Sequence, residues 1–306
     1  MMLKKLKRYL KDPYWALGSD LIKSHPNWMS DKFYICTLWR MVMGYKLNLS
    51  NPKTFNEKLQ WLKLYNRNPL YTILVDKLLV KDWVADKIGS QYVVPTLAVY
   101  NSVDEINLEN LPEQFVLKCN HDSGSVIICK DKSTFDLKAA KIKLSKALHQ
   151  NFYKEAREWP YKNVSPKIFA EKYLCNNQME KNNTEMTDYK FYCFHGESKF
   201  LYVSYGLSDH SSAKIAFLNL DYTYAPFYRD DFSTFNVLPP KPKSFKTLIE
   251  LSNILSKDIP FVRVDWYDVE GIPYFSEMTF YPGGGTTKLT PFTYDERIGQ
   301  WLDLNI

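Results

Sequence analysis

The sequence predicts an α+β fold, and three textures carry that expectation. Apolar residues recur at helical spacing through about the first ninety positions. Short β-branched and aromatic runs bounded by turn residues follow from Tyr92 onward. Helices and strands then mix without a regular βαβ rhythm, which argues against a doubly wound sheet.

Taken in order, Asn51-Pro52 precedes Thr54-x-x-Glu57, a capping-box pattern that opens a helix carrying Phe55, Leu59 and Leu62. A second helix places Leu79, Val80, Trp83, Val84 and Ile88 on one apolar face read as core, and Gly89 stops it. Strands are expected at VVPTLAVY, FVLKC and SVIICK, then a helical stretch over about 136–156, then the strand IFAEKYL. DYKFYCFHG and ESKFLYVSYG read as a hairpin turning at His195-Gly196-Glu197, followed by the strand KIAFLNLDY. A Pro-rich loop at 238–242 leads into a helix over about 245–255, and FVRVDWY with PYFSEMTF closes the chain as a last hairpin. The expected division is a helical region, 1–91, and two strand-bearing units, 92–170 and 171–306.

Bulk composition narrows the function classes. A chain of 306 residues with 45% hydrophobic content can bury one large core or two packed ones. The net charge of +6 suits an anionic ligand, although a lysine-rich solvated surface gives the same balance. Cys36, Cys119, Cys129, Cys175 and Cys193 are scattered and form no CxxC pair, so neither a disulfide nor a zinc framework is expected. No apolar run approaches the roughly 18 residues of a membrane span, and the start alternates charge too densely for a signal peptide. A cytoplasmic protein is expected, with at most peripheral membrane contact through the basic N-terminal segment. Aromatic residues sit in strands and helical stripes rather than among clustered basic residues, so no nucleic-acid partner is expected.

The chemistry concentrates in three places. Along FVRVDWY, Arg263, Asp265 and Tyr267 share one face, and along PYFSEMTF so do Phe275, Glu277 and Thr279. If Tyr267 pairs with Pro273, Arg263 stands opposite Glu277 and Asp265 one diagonal step away; a shift of one residue separates the two sets. The flanking residues are apolar, and buried carboxylates need a compensating cation. Magnesium takes one or two carboxylates with waters and phosphates, so a metal is expected ahead of a plain salt bridge. The second place is FVLKCNHDSGSVIICK, where a strand delivers Lys118 to a loop of small residues, Ser123, Gly124 and Ser125. Backbone N–H groups there can close on phosphate oxygens, though taken alone a polar hairpin loop accounts for it as well. The third is the end of IFAEKYL, either an ordinary edge or a hinge that pairs with an adenine edge.

In combination, NPKTFNEKLQWLKLY, VDKLLVKDWV, LPEQFVLKCNHDSG, DYKFYCFHG and FVRVDWYDVEGIPYFSEMTFYPGGG resemble the TupA-like ATP-grasp family linked to polysaccharide and teichuronopeptide biosynthesis. The resemblance runs from about residue 51 to 285. It implies two α+β subdomains gripping ATP, with the lid subdomain at 92–170 and the metal-bearing one at 171–306. It implies Lys77 and Lys118 as phosphate contacts under the loop Ser123 to Ser125, and Glu171, Lys172, Tyr173 and Leu174 as the adenine hinge. Lys190 is implied as a further phosphate or acyl-phosphate contact, and Arg263 as the arginine of the transition state. Asp265 and Glu277 are implied as Mg2+ ligands, with Thr279 where the family carries Asn. Gly283, Gly284 and Gly285 match the loop receiving the substrate carboxylate, and Glu180 is the nearest acid for the ribose. His121, in the loop after Lys118, reads as a phosphate or substrate contact or equally as a structural hydrogen bond.

The activity so implied is a carboxylate–amine ligase that uses ATP and magnesium. Its substrates are expected to be a small molecule or glycan bearing a carboxylate, together with an amine. A sugar-nucleotide glycosyltransferase in the same pathway is the rival class, since basic charge and paired carboxylates fit it too. It has no need, however, of a strand lysine aligned with a phosphate loop. A non-enzymatic scaffold is the third possibility, opposed by the joint presence of Lys118, Arg263, Asp265 and Glu277.

Overall fold

The computed structural model describes residues 18–19, 24, 28–175, 186–206 and 213–304. From residue 28 the described chain runs through the helices α1 (Asp31–Met43), α2 (Phe55–Tyr65), α3 (Leu70–Val75) and α4 (Leu79–Ile88). The capping box of α2 is formed, with the Thr54 side chain accepting from the Glu57 backbone and the Glu57 carboxylate accepting from the Thr54 N–H. That satisfies two of the donors a helix start leaves open. Phe55, Leu59 and Leu62 are buried as the spacing predicts. The stripe on α4 holds for Val80 and Val84, but Leu79 is 50% exposed. Leu79 is the first residue of its helix, where the Asp76 carboxylate caps its N–H, so its side chain leaves the buried stripe.

The chain next builds β1 (Thr96–Tyr100), β2 (Phe115–Cys119) and β3 (Ile127–Cys129), then helices α5 (Leu137–Leu148) and α6 (Tyr153–Ala156), then β4 (Ile168–Lys172). These strands form an antiparallel sheet in the order β1-β4-β2-β3. Alternation sends Phe115, Leu117, Ile168 and Ala170 into a core with Leu144 and Ala147 of α5. The opposite face carries Val116, Lys118, Phe169 and Glu171, paired Lys118 with Phe169 and Val116 with Glu171. Strand β4 runs on to Lys172, so the boundary expected at 170/171 falls inside it, and Glu171 and Lys172 pair with the first sheet.

The second sheet contains β5 (Asp188–Phe194), β6 (Glu197–Tyr205) and β7 (Lys214–Asn219). After α7 (Phe245–Leu255) come β8 (Phe261–Val269) and β9 (Ile272–Thr279), and α8 (Thr293–Gly299) follows. The order is β7-β6-β5-β8-β9, antiparallel throughout. Both tight hairpins turn on two left-handed residues, His195-Gly196 (φ 49° and 85°) and Glu270-Gly271 (φ 56° and 93°). That geometry matches the strand twist, and Glu197, expected in the turn, opens β6 instead. One face of this sheet packs on α7, where Trp266 Nε1 donates to Ser252 Oγ at 2.8 Å. The other face meets α2 at one end, with Phe55 edge-on to Phe261 at 4.8 Å. Beyond that aromatic patch the same face turns charged. Among the described residues, no helix is long and apolar enough to cross a membrane.

Candidate active site

The β8–β9 ladder decides which side chains meet. Near the turn Tyr267 pairs with Tyr274 and Asp268 with Pro273, one residue away from the register weighed in the sequence. A bulge then intervenes: Trp266 pairs with Phe275 but Asp265 with Glu277, leaving Ser276 unpaired. The extra residue restores the parity that the shifted turn removes. Glu277 and Thr279 therefore face the site while Phe275, expected beside them, is buried against Trp266 on the other face. Asp265 stands directly opposite Glu277, and Arg263 opposite Thr279.

These side chains form one ion-paired cluster. Arg263 grips Asp265 with two bonds, Nε to Oδ1 at 2.7 Å and Nη2 to Oδ2 at 2.5 Å. The same Nη2 donates to Glu277 Oε1 at 3.3 Å and to Thr279 Oγ1 at 2.9 Å. The salt bridge weighed against a metal is thus formed, and Thr279 spends its hydroxyl oxygen on Arg263. Lys190, buried on β5, lies 3.3 Å from both Asp265 and Asp188. Burial works against its charge, but those two carboxylates outweigh burial and hold it protonated. Burial pushes Asp265 up, with Arg263 and Lys190 opposing. For Glu277 burial also pushes up, yet Lys77, Arg263 and Lys190 win and bring it to about 2.

Lys77 joins the two sheets. Its Nζ is 3.2 Å from Glu277 on β9 and donates to the Asp122 carbonyl at 2.6 Å, in the loop after β2. In that loop Ser125 Oγ donates to Asp122 Oδ1 and accepts from the Cys119 N–H, closing the turn. Ser123 and Gly124 are exposed, and Gly124 has a φ of 103° that a side chain rarely adopts. His121 is not part of the cluster. It is buried, and its Nε2 lies 3.2 and 3.1 Å from the carbonyls of Ala147 and Gln150 at the end of α5. Its ring completes that helix end.

The TupA-like ATPgrasp family model matches residues 57–303. The chain belongs to that family. The structure is also similar to D-alanine–D-alanine ligases. For the Bacillus anthracis enzyme complexed with ATP, identity is 15% and the TM-score 0.37, over 68% of this chain and 54% of that one. For the Helicobacter pylori enzyme the values are 14% and 0.43, over 81% and 69%. The ATP-grasp ligase PsnB complexed with minimal precursor, Mg and ADP gives 10% and 0.38, over 86% and 66%. The chain thus spans about half the length of the Bacillus anthracis ligase. No curated protein matches it.

In this ATP-grasp chain, Lys118 and Glu171 form an ion pair on the inner face of the first sheet, and Lys81 closes on the other Glu171 oxygen at 2.8 Å. Both ammonium groups sit over the Phe169 ring, at 5.3 and 5.1 Å. Burial pushes Glu171 up, but Lys118 and Lys81 outweigh it and hold the carboxyl below its usual range. The side chain of Glu171 is therefore spent inside the sheet, while Lys172 is exposed and Tyr173 and Leu174 lie beyond the last paired residue. Glu180 lies outside the described residues.

Sequence reasoning missed Lys81, Asp188 and Lys63. Lys81 reads as a polar gap in a helical stripe, and Lys63 as a surface lysine of α2. Instead Lys63 is fully buried and donates to the carbonyls of Ala156 and Gly284, at 2.9 and 2.6 Å. Gln60 adds bonds to Gly284 and Gly285, so α2 anchors the glycine run. Gly283, Gly284 and Gly285 are all left-handed, and a Cβ on Gly285 would strike Gln60 Nε2 at 2.5 Å.

The donor set suits a hard divalent cation shared with phosphates. Asp265 and Glu277 offer carboxylate oxygens from adjacent strands, the number magnesium typically takes from protein. Among the described residues no group of three or more His, Cys, Asp or Glu side chains could hold a metal alone. A cavity of about 600 Å³ opens on the same sheet face, but at the β7 edge beside Phe217, Tyr224 and Arg229 rather than over the carboxylates.

Proposed function

We propose that this chain is a magnesium- and ATP-dependent ligase that joins a carboxylate to an amine through an acyl phosphate. The observation that carries the reading is the convergence of Lys77 and Arg263 on Glu277 beside Asp265, with Lys118 paired to Glu171 on the other sheet. Asp265 and Glu277 would hold magnesium, which when bound neutralises charge on phosphate oxygens. Lys77 and Lys118 bind the phosphates, and the exposed Ser123 and Gly124 with Ser125 cover them. The backbone from Lys172 to Leu174 takes the adenine edge. Arg263, oriented by Asp265 and Thr279, faces the charge that develops on the transferring phosphoryl group. Lys190 keeps Asp265 in place as a charged neighbour. The glycine run 283–285 lies at the substrate end, where α2 fixes its backbone.

The substrate class that we propose, in keeping with the family resemblance, is a sugar carboxylate or related glycan acid joined to an amino acid or amine, in cytoplasmic synthesis of a cell-surface polysaccharide. The direct test is an ADP-release screen crossing sugar acids with amines, with Glu277→Gln as the control. A responding carboxylate labelled with 18O must pass label to the released phosphate. Unlabelled phosphate excludes the acyl phosphate, and undiminished turnover by Glu277→Gln removes Glu277 from the site.

A further inference from the structure

Glu158 is a carboxylate for which that reading provides no task. It follows Arg157, whose φ of 54° is left-handed, a conformation a long side chain adopts only when its surroundings impose it. Here they do. The Arg157 guanidinium is buried 4.2 Å from the centre of the Tyr34 ring and 5.1 Å from that of Tyr153. The turn sends Glu158 inward, where it is only 5% exposed.

The glycine run stands beside it. A Cβ added to Gly284 would lie 3.2 Å from the Ala156 Cβ and 4.0 Å from Glu158 Oε1. Lys63 ties the two segments together through the Ala156 and Gly284 carbonyls. Two left-handed turns are therefore held against each other with one carboxylate between them. Among the described residues none donates a hydrogen bond to that carboxylate, and its neighbours act through burial and charge. Its oxygens are not among the fully buried, unpartnered side-chain atoms, so a group from outside the chain can reach and hydrogen-bond to them.

The charges around it come from every packed element: Lys63 on α2, Glu155 on α6, Arg263 on β8 and Glu277 on β9. Tyr161 and Tyr281 feel its charge too, each pushed up first by its own burial. Burial raises Glu158 against the pull of Lys63, and burial lowers Lys63. A carboxyl raised in this way is a stronger base than a solvated one, as proton removal from a substrate requires.

We propose that Glu158 binds the incoming amine as its ammonium and takes a proton from it. This rests on the ligase reading. The Glu158 carboxylate removes one proton, leaving a lone pair on nitrogen. That pair attacks the acyl carbon, the C–N bond forms, and the bond from carbon to phosphate oxygen breaks with its electrons on phosphate. The second proton lost from nitrogen goes to that phosphate, and Glu158 returns its own proton to solvent.

The test compares two amines on the wild type, Glu158→Gln and Glu158→Asp, using whichever carboxylate the ADP-release screen returns. Ethanolamine is protonated at neutral pH and needs a base, whereas hydroxylamine does not. Glu158→Gln should lose amide formation with ethanolamine by about 100-fold, a typical general-base effect, and keep hydroxamate formation within about 3-fold. Its kcat/KM should also lose the rising limb near neutral pH, and Glu158→Asp should recover part of the ethanolamine rate. Equal losses with both amines, or an unchanged pH limb, overturn the proposal. If Glu158→Gln does not fold, the Asp variant decides, because its pH limb must move. Calorimetry with Mg2+ and AMP-PNP separates the two ideas: a wild type that binds no nucleotide sinks the ligase reading, and this proposal with it.

Discussion

Asp265 faces Glu277 squarely across the β8–β9 ladder because Ser276 is left without a partner between Phe275 and Glu277. In a regular strand residues 275 and 277 share a face; here one fills the core and the other meets the site. Deleting Ser276 would regularise the ladder while keeping Asp265 opposite Glu277. The variant should fold and bind Mg2+ with AMP-PNP within about tenfold of wild type. Inserting one alanine after Ser276 should seat Glu277 opposite Arg263, two positions away from Asp265, and weaken binding well beyond tenfold. Calorimetry on both variants checks the pair, and equal binding by the two would contradict the role given to the bulge.

Arg263 is the main counter-charge of a fully buried Asp265. Removing one member of a buried ion pair typically costs about 3–5 kcal/mol. Arg263→Gln should lose stability on that scale in urea unfolding. Adding Asp265→Asn should recover a large part of the loss, because the stranded charge disappears. A double variant no more stable than the single one would mean that Lys190 already neutralises Asp265.

Asp295 offers a pH test away from the cluster. Its Oδ1 accepts from the Asn56 backbone and side chain at 3.0 and 2.9 Å, while Oδ2 is buried without a partner. Burial pushes its pKa up to about 6. The folded chain thus holds a proton there that the unfolded chain has already released. That contribution is full below about pH 4 and is lost as pH rises through about 6. Asp295→Asn should therefore raise the thermal midpoint at about pH 7.5 and give no gain at about pH 4. A midpoint lowered equally at both values would show that the carboxylate is better satisfied than its contacts indicate.

Gly284 is constrained twice, by a φ of 63° and by Ala156 and Glu158 beside its missing side chain. Gly284→Ala should cost about 1–3 kcal/mol, the range for a residue forced into such a conformation. It should also shift the Tyr281 environment in near-ultraviolet circular dichroism. An unchanged midpoint would mean that the loop relaxes freely.

How much of this could be read from the chain depends on how local each cause is. The α2 cap, the β5–β6 hairpin and the α7 helix rest on signals within a few residues of one another, and they form as expected. Arg263, Asp265, Glu277 and Thr279 also meet, but by a different route, because the need for a bulge arises only when two strands are laid together. Pairings across long separations left no trace. Lys81 and Glu171 are 90 positions apart, and Lys63 and Gly284 are 221. Nothing near Lys63 marks it as buried except a helical phase that also fits a solvated lysine. His121 shows the converse: its loop reads equally as a substrate contact or a structural hydrogen bond, and its ring lies beside carbonyls of a distant helix end.

The bridge made by Lys77 changes how nucleotide must enter. With Lys77 on Glu277 and Lys118 on Glu171, the chain already supplies its own anions to the cations that the proposed function assigns to phosphate. An arriving triphosphate is then a competitor that must exchange partners rather than fill an open field. Once it draws Lys77 away, Glu277 needs a fresh counter-charge, and a divalent ion is the one that comes with the nucleotide. On the proposed function, metal and nucleotide are therefore thermodynamically coupled, and ATP alone should bind far more weakly than the pair.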